Sequence, residues 1–207
     1  MSRTRSGTRP YRSAERAERR SRTQLAILAA AEAVFKERGY ASATMQAVAD
    51  GAGVSLPTVY LYFRSKPALV RSLADAISST EEFDVKRALG QSDPLRMFET
   101  GARVLRLMHQ RGEVVADVLR SAAGGDPELS LEWRRWQRRH LEAMKAVADS
   151  LEQQEALQGG LDAASAADVL YTIGGPETFR QLVRERGWSA TRYERWIAEA
   201  ARRLLLA

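Results

Sequence analysis

Cysteine is absent from this chain of 207 residues. Disulfide bonds, zinc sites with cysteine ligands, iron–sulfur clusters and thiol catalysis are therefore excluded. Proline is also scarce, with 6 residues, and aromatic residues make up only 7% of the chain. Alternating runs of β-branched residues are almost missing, whereas Ala, Leu, Arg and Glu are abundant. This composition favours helices, and we predict an all-α fold.

Long apolar segments are missing as well. The apolar run at residues 25–31 ends at Glu32, whereas a helix that crosses a membrane needs about 20 such residues. The basic N-terminus is not followed by the apolar segment and cleavage site of a signal peptide. We therefore expect a cytoplasmic protein that has no membrane partner.

The net charge of +6 is concentrated at the N-terminus. Residues 1–22 contain eight Arg and two Glu, whereas the rest of the chain has equal numbers of basic and acidic residues. Such a segment is typical of arms that bind phosphate backbones, and a solvated tail without a partner is the alternative. We predict that residues 1–20 form a disordered basic tail.

Residues 44–63 have the pattern of a helix-turn-helix motif. A short helix from Met45 to Ala52 is followed by a turn at Gly53, and a second helix starts near Pro57. Gly53 supplies the positive φ angle that this turn needs. The second helix of such a motif places its exposed side chains in a major groove of DNA. The alternative is that the aromatic residues of this segment are core residues of a small bundle.

Residues 23–70 resemble the DNA-binding head of the TetR family of transcriptional regulators. The resemblance is carried, in order, by Ala30-Ala31 with Phe35, Gly39-Tyr40, Thr44, Val48-Ala49, Ala52-Gly53-Val54-Ser55, Val59-Tyr60, Tyr62-Phe63, Ser65-Lys66 and Leu69. The closing stretch, residues 176–196, resembles one branch of the family that is common in actinobacteria. The rest of the C-terminal half matches the family only in architecture.

The resemblance implies a homodimer that binds a palindromic operator in double-stranded DNA and that usually acts as a repressor. It also implies release from the operator by a small-molecule effector. The expected domains are a three-helix DNA-binding head at residues 21–81 and a helical bundle at residues 82–207. A linking helix joins the head to this bundle, which binds the ligand and forms the dimer.

The candidate DNA contacts lie in the helix-turn-helix motif and just after it. Matching positions of the family imply contacts at Thr44, Ser55, Thr58, Tyr60, Tyr62 and Lys66. The exposed side of the second helix adds Leu56, Pro57 and Leu61, whose apolar side chains suit thymine methyl groups and sugars. Tyr60, Tyr62 and Lys66 are expected to address phosphate oxygens. Pro57 departs from the glycine that many family members have there, so the operator sequence is harder to infer.

Apolar residues at helical spacing give a candidate ligand pocket in the C-terminal half. The candidate lining residues are Phe98, Met108, Trp133, Trp136, His140, Met144 and Tyr171. They suit a mostly hydrophobic or aromatic effector. An ordinary core is the alternative. His109 and His140 lie on different helices without a nearby carboxylate pattern, so we expect no metal site and no cofactor.

An apolar stripe on the last helix, together with Val169 and Phe179 from the segments before it, gives a candidate dimer interface. Its residues are Val169, Phe179, Trp196, Ile197, Ala200 and Leu204. A purely intramolecular core is the alternative interpretation of this stripe.

Two other functions are compatible with an all-helical chain. The first is an architectural DNA-binding protein without an effector. The C-terminal half argues against it, because that half is larger than dimerisation requires. The second is an all-helical enzyme, but the sequence has no nucleophile–base spacing, no glycine-rich phosphate loop and no paired carboxylates. We therefore predict a ligand-responsive transcriptional regulator that is not an enzyme.

Overall fold

The protein was analysed as a computed structural model that describes residues 9–79 and 86–207, with side chains from residue 14 onward in the first helix. Nearly all of the described residues are helical. They contain no β-strand, and their one β-type pairing is an isolated antiparallel bridge between Leu157 and Leu206. The predicted all-α class is therefore confirmed.

Ten α-helices follow one another along the described residues. They are α1 (Arg9–Ser42), α2 (Met45–Ala52), α3 (Leu56–Tyr62), α4 (Lys66–Ser78), α5 (Lys86–Leu89), α6 (Pro94–Ala122), α7 (Pro127–Gln153), α8 (Ala163–Ile173), α9 (Pro176–Phe179) and α10 (Ala190–Leu205). After α9 the chain continues as a π-helix, Arg180–Glu185. None of these helices is both long enough and apolar enough to cross a membrane.

The chain divides into two compact units between Leu73 and Ala74, inside α4. The boundary predicted between residues 81 and 82 falls in a segment outside the described residues. The N-terminal unit therefore holds α1 to α3 and the first part of α4. The C-terminal unit holds the end of α4 and all later helices.

The core of the N-terminal unit is formed where α1 packs on α2 and α2 packs on α3. Ile27 and Ala31 of α1 are completely buried there, together with Ala49 of α2 and Val59 of α3. The helical path of α1 is interrupted at Gly39, which has a φ of 70°. This positive φ, which only glycine adopts without strain, breaks the path of the helix, although helical hydrogen bonding resumes up to Ser42.

The prediction of a disordered tail over residues 1–20 is wrong for residues 9–20, which form the first turns of α1. Residues 1–8 lie outside the described part of the chain. Arg, Glu and Ala are strong helix formers, and Pro10 stands in the first turn, where its missing N–H does no harm. Arg22 and Glu18 form an exposed i,i+4 ion pair with 3.9 Å between nitrogen and oxygen, which adds slightly to the stability of the helix.

The C-terminal unit is a bundle in which α10 packs on α6 and α8 packs on α7. Both long helices begin with an aspartate cap followed by proline, at Asp93-Pro94 and Asp126-Pro127. The helix α6 runs as a single element from Pro94 to Ala122. The buried core includes Leu151 on α7.

Candidate nucleic-acid interface and ligand cavity

The helix-turn-helix motif is fixed by caps that its own sequence supplies. The Oγ1 atom of Thr44 accepts a hydrogen bond of 3.1 Å from the Ala47 N–H and caps α2. Gly53, with a φ of 64°, ends α2 and turns the chain. The Oγ atom of Ser55 then accepts a bond of 3.4 Å from the Thr58 N–H and starts α3. The turn and both helix ends follow the predicted pattern.

The exposed side of α3 carries large apolar and aromatic side chains. Val59 is buried against the unit's core, whereas Tyr60 is 47% exposed and Leu61 is 79% exposed. Tyr60 is therefore not a core aromatic residue, which was the alternative interpretation. Exposed apolar and aromatic side chains gain nothing from contact with water. This surface of α3 therefore suits a partner with apolar groups, such as the thymine methyl groups in the major groove.

The remaining candidate contacts lie around this surface. Pro57 is exposed, and Leu56, Thr58 and Tyr62 are half-buried. Thr44 and Ser55 are exposed at the two helix starts. The Thr44 hydroxyl accepts the capping bond described above and keeps an O–H that can donate to a phosphate oxygen. The Ser55 Oγ also lies 2.8 Å from the Thr58 Oγ1, so one of these two hydroxyls donates to the other.

Lys66 has a different role from the predicted one. Its Nζ donates hydrogen bonds to the carbonyl oxygens of Tyr40 at 2.7 Å and Ala43 at 2.9 Å, with Ala41 at 3.4 Å. It thus satisfies carbonyl groups at the C-terminal end of α1, where a positive charge is favourable. This arrangement argues against the predicted phosphate contact of Lys66, because an ammonium has only three N–H donors.

The C-terminal unit contains an apolar cavity of about 410 Å³ between α4, α6, α7 and α10. Its volume is that of a small-molecule site. The lining residues are Ile77, Ser78, Ser79, Ala88, Met97, Phe98, Gly101, Ala102, Val104, Leu105, Met108, Trp136, Arg139, His140, Ala143, Met144, Val147, Leu170, Ile197 and Ala201. The last turn of α4 therefore forms part of the cavity wall.

Five of the seven predicted pocket residues line this cavity: Phe98, Met108, Trp136, His140 and Met144. Trp133 and Tyr171 do not line it.

Trp133 lies one turn before Trp136 on α7 and borders a separate, much smaller cavity of about 30 Å³. The Tyr171 ring packs on His140 with 5.0 Å between ring centres, behind the lining. Sequence reasoning also missed the wall that Ile77 and its two neighbours form, since residues 77–79 were included in the predicted head.

Two histidines hold the C-terminal end of α8. His109 Nε2 is 2.9 Å from the Gly174 carbonyl oxygen, and His140 Nε2 is 3.4 Å from that of Tyr171. Burial lowers the pKa of His109 to about 4, and burial also lowers the pKa of His140. Both rings are therefore neutral at pH 7 and donate Nε2–H to a carbonyl oxygen. No group of potential metal ligands occurs among the described residues.

Arg139 is the charged residue of the cavity wall. Its guanidinium lies 3.7 Å from the carboxylate of Asp75 on α4 and 3.4 Å from that of Glu132 on α7. Glu132 is itself buried and also pairs with Arg135 at 3.4 Å. The pair with Asp75 ties α7 to α4 at the cavity.

The Trp136 ring packs closely against α6 at Gly112. A Cβ atom added at Gly112 would lie 3.3 Å from the Trp136 ring and 3.7 Å from Ile77. Gly112 borders the small cavity but not the large one. The absence of a side chain at Gly112 thus allows the indole to sit where it walls the large cavity.

Comparisons with known proteins agree with this geometry. Residues 27–73 match the family described as bacterial regulatory proteins, tetR family. The HTH-type transcriptional regulator EthR of Mycobacterium tuberculosis is 26% identical over 166 residues, which are 79% of this chain and 77% of EthR. The HTH-type transcriptional regulator TtgR of Pseudomonas putida is 35% identical over 65 residues, or 31% of each chain. Residues 27–73 therefore form a DNA-binding domain of the TetR family of transcriptional regulators.

Solved structures of two repressors share the fold. A complex of SmeT with triclosan has a TM-score of 0.74 at 18% identity and covers 89% of this chain and 92% of SmeT. SmeT is described as the repressor of a multidrug efflux pump of Stenotrophomonas maltophilia. NalD, the secondary repressor of the MexAB-OprM multidrug efflux pump in Pseudomonas aeruginosa, has a TM-score of 0.73 at 21% identity and covers 91% of this chain and 98% of NalD. TetR-family regulators are not enzymes, as the sequence predicted.

The dimer residues predicted from the TetR resemblance divide into two groups. Phe179 and Ile197 are only 5% and 3% exposed because they belong to the protomer's own core, around Tyr193. Their assignment to an interface is therefore wrong.

The other four predicted interface residues keep accessible surface. Leu204 is 46% exposed, and Val169, Trp196 and Ala200 are half-buried. An apolar stripe at helical spacing thus contained both core and surface positions.

Proposed function

We propose that this protein is a homodimeric repressor that binds a palindromic operator and is released from it by a small, mostly apolar effector. The observation that carries the proposal is that the last turn of α4 lines the cavity, while Lys66, the first residue of the same helix, belongs to the DNA-binding unit. A ligand in the cavity thus contacts the helix that leads to the head.

DNA binding is assigned to α3 and the capped helix starts beside it. Tyr60 and Leu61 present apolar and hydroxyl groups at the exposed side of α3, and Thr44 and Ser55 present hydroxyls at the starts of α2 and α3. A helix of this kind enters the major groove, where such groups meet base edges and phosphates. Two half-sites one helical turn apart need two linked heads, so the proposal includes a dimer.

The effector is assigned to the 410 Å³ cavity. Its wall is apolar apart from Arg139, His140 and the two serines at the end of α4, so it suits a compact hydrophobic compound that has few polar groups. SmeT, which has the same fold, has been solved in complex with triclosan. A ligand that prefers one arrangement of α4 by about 1–3 kcal/mol would change operator affinity by roughly 5- to 150-fold.

The test starts with selection of bound duplexes from a random DNA pool, followed by mobility-shift titration of the selected sequence. A palindromic consensus and a shift that corresponds to two protomers are expected. Hydrophobic compounds, beginning with triclosan, are then added to the preformed complex. Compounds that release DNA should bind the free protein more tightly than the DNA complex by the same factor, because the coupling is reciprocal.

Two results would overturn parts of the proposal separately. A wild-type protein that selects no sequence from the pool would refute the operator-binding function. A protein that selects an operator but whose complex is unaffected by every cavity-sized compound would support the architectural alternative instead.

A further inference from the structure

The helix-turn-helix motif of this protein contains no basic residue. Residues 44–63 include one charged side chain, that of Asp50, and no Lys or Arg. Lys66, the second basic residue after the motif, is engaged with carbonyl oxygens of Tyr40 in α1 and of Ala43 just after it. Duplex DNA is bound largely through neutralisation of phosphates by Lys and Arg. Arg64 is the single exposed basic residue directly after the motif, so further positive charge for such binding has to come from another element of the N-terminal unit.

The N-terminal part of α1 supplies this charge next to α3. From residue 14 to residue 26 nearly every side chain of α1 is exposed, and burial in the core begins only at Ile27. One face of this stretch and the C-terminal end of α3 enclose an open groove of about 710 Å³. Its lining residues are Arg16, Ala17, Arg20, Ser21, Gln24, Leu61 and Tyr62. Arg16 and Arg20 lie one helical turn apart, on the same side of α1 as the exposed Leu61.

The other basic residues of this stretch lie elsewhere on the helix. Arg19 and Arg22 do not line the groove, and Arg22 pairs with Glu18 on the opposite face. Within residues 14–26, each of the two faces of α1 therefore carries two arginines, but only the face with Arg16 and Arg20 borders α3.

We infer that Arg16 and Arg20 form a second DNA-binding site, which takes the phosphate backbone that flanks the major groove occupied by α3. The inference rests on the proposed function, because α3 has to lie in the groove for its neighbours to reach the strand beside it. Leu61, at 79% exposure, marks the side of α3 that faces the DNA in this proposal, and both arginines border the groove that it lines. Guanidinium groups bind phosphate oxygens in a bidentate manner, which suits this site.

The experiment compares two charge-matched double variants of the full chain. R16Q/R20Q removes the two arginines of the groove, and R19Q/R22Q removes two arginines from the opposite face. The probe is a mixed-sequence DNA duplex, because phosphate contacts do not depend on sequence. Binding constants are measured by fluorescence anisotropy between 50 and 200 mM salt. All four residues are exposed, so thermal unfolding should be nearly unchanged and serves as the folding control.

R16Q/R20Q should lower the slope of log K against log salt by about 1.8 per protomer, since each phosphate contact contributes about 0.9. The advantage of the wild-type protein over this variant should then shrink by about 12-fold as salt rises from 50 to 200 mM. R19Q/R22Q should leave the slope almost unchanged. R16K/R20K, which keeps the charge, should restore most of the slope.

Two outcomes overturn the inference. Equal slope losses in R16Q/R20Q and R19Q/R22Q would show an effect of total charge rather than a site. An unchanged slope in R16Q/R20Q would show that the groove does not contact DNA. In both cases the wild-type protein still binds the duplex, so the proposed function stands. Failure of the wild-type protein to bind any duplex at 50 mM salt would instead refute the proposed function, and this inference with it.

Discussion

The ammonium of Lys66 donates a hydrogen bond of 2.7 Å to the carbonyl oxygen of Tyr40 and lies 4.2 Å from the centre of the Tyr40 ring. The first residue of α4 is thereby fixed to the end of α1. The chain between these two residues forms α2 and α3. The contact therefore links the two ends of the segment that contains the helix-turn-helix motif. We expect it to affect DNA affinity only through the stability of this unit.

Replacing Lys66 by Met should lower the free energy of unfolding by about 2 kcal/mol, because carbonyl groups at the end of α1 lose a charged donor. The salt dependence of DNA binding by the folded protein should stay the same. Arg64→Met, at an exposed position two residues earlier, is the control for stability and should cost little. Urea unfolding and a salt titration check both statements, and a flattened salt dependence for Lys66→Met would restore the phosphate contact.

Leu61→Ala should leave the stability of the protein unchanged and should alter the preference among DNA sequences. The side chain is 79% exposed, so its removal costs no core packing. Loss of a contact with a thymine methyl group should cost about 1 kcal/mol at one base-pair position, since burying one methylene group contributes about 0.8 kcal/mol. Tyr62→Phe is the comparison, because loss of a phosphate contact should weaken all sequences alike. Selection from a random pool distinguishes the two patterns.

Binding of an effector in the cavity should change the fluorescence of Trp136 but not that of Trp133. Only Trp136 lines the cavity, and Trp133 lies one turn earlier on α7. Trp136→Phe should therefore abolish the ligand-dependent change in emission, whereas Trp133→Phe should preserve it. The opposite result, with a compound that releases DNA, would put the effector site elsewhere.

The caps and the turn of the DNA-binding motif could be predicted because each is a local property of the sequence. Thr44, Gly53 and Ser55 act on residues at most a few positions away. The role of Lys66 could not be predicted, since its partner Tyr40 is 26 residues distant.

Helical spacing alone also could not tell core from surface. Ile197 and Leu204 lie on the same side of α10 by their spacing, yet one is buried and the other is 46% exposed. What covers an apolar stripe depends on the helices that pack against it, and these are distant in sequence. The same limit explains Trp133, which shares a stripe with Trp136 but faces another cavity.

Ala200→Arg combined with Leu204→Arg should convert the proposed dimer into a folded monomer. Both side chains keep accessible surface in the protomer, and a dimer contact there would bury two unpaired charges in each subunit. Leu131→Arg, at an exposed leucine on α7, is the matched control and should stay dimeric. Analytical ultracentrifugation measures the state. A double variant that remains a dimer would move the interface away from this end of α10.

Stability should fall between pH 7.5 and pH 5 because burial lowers the pKa values of His109 and His140, and the larger contribution is expected from His109. Burial lowers the pKa of this imidazole to about 4 from its ordinary value of 6.5, so the unfolded chain binds more protons between these values. The contribution of neutral His109 to the free energy of unfolding is complete above pH 6.5 and is lost as the pH falls toward 4. At pH 5 the free energy of unfolding should be lower by about 2 kcal/mol.

His109→Gln keeps a donor for the Gly174 carbonyl group and should reduce this pH dependence, as measured by urea unfolding at the two pH values. The carboxylate of Glu199, whose pKa the side chains of Arg202 and Arg203 lower to about 2, loses its contribution only below pH 4.5 and does not interfere. An equal pH dependence in wild type and variant would contradict the assignment.

Because Gly112 contacts Trp136 but does not line the cavity, the volume of the ligand site depends on a residue that a bound ligand does not touch. A methyl group there would press on the far side of the Trp136 ring and push the indole toward the cavity. Natural variants with alanine at this position would then accept smaller molecules, although every lining residue is the same. The range of compounds that such a regulator senses could therefore drift through a position that no ligand ever contacts.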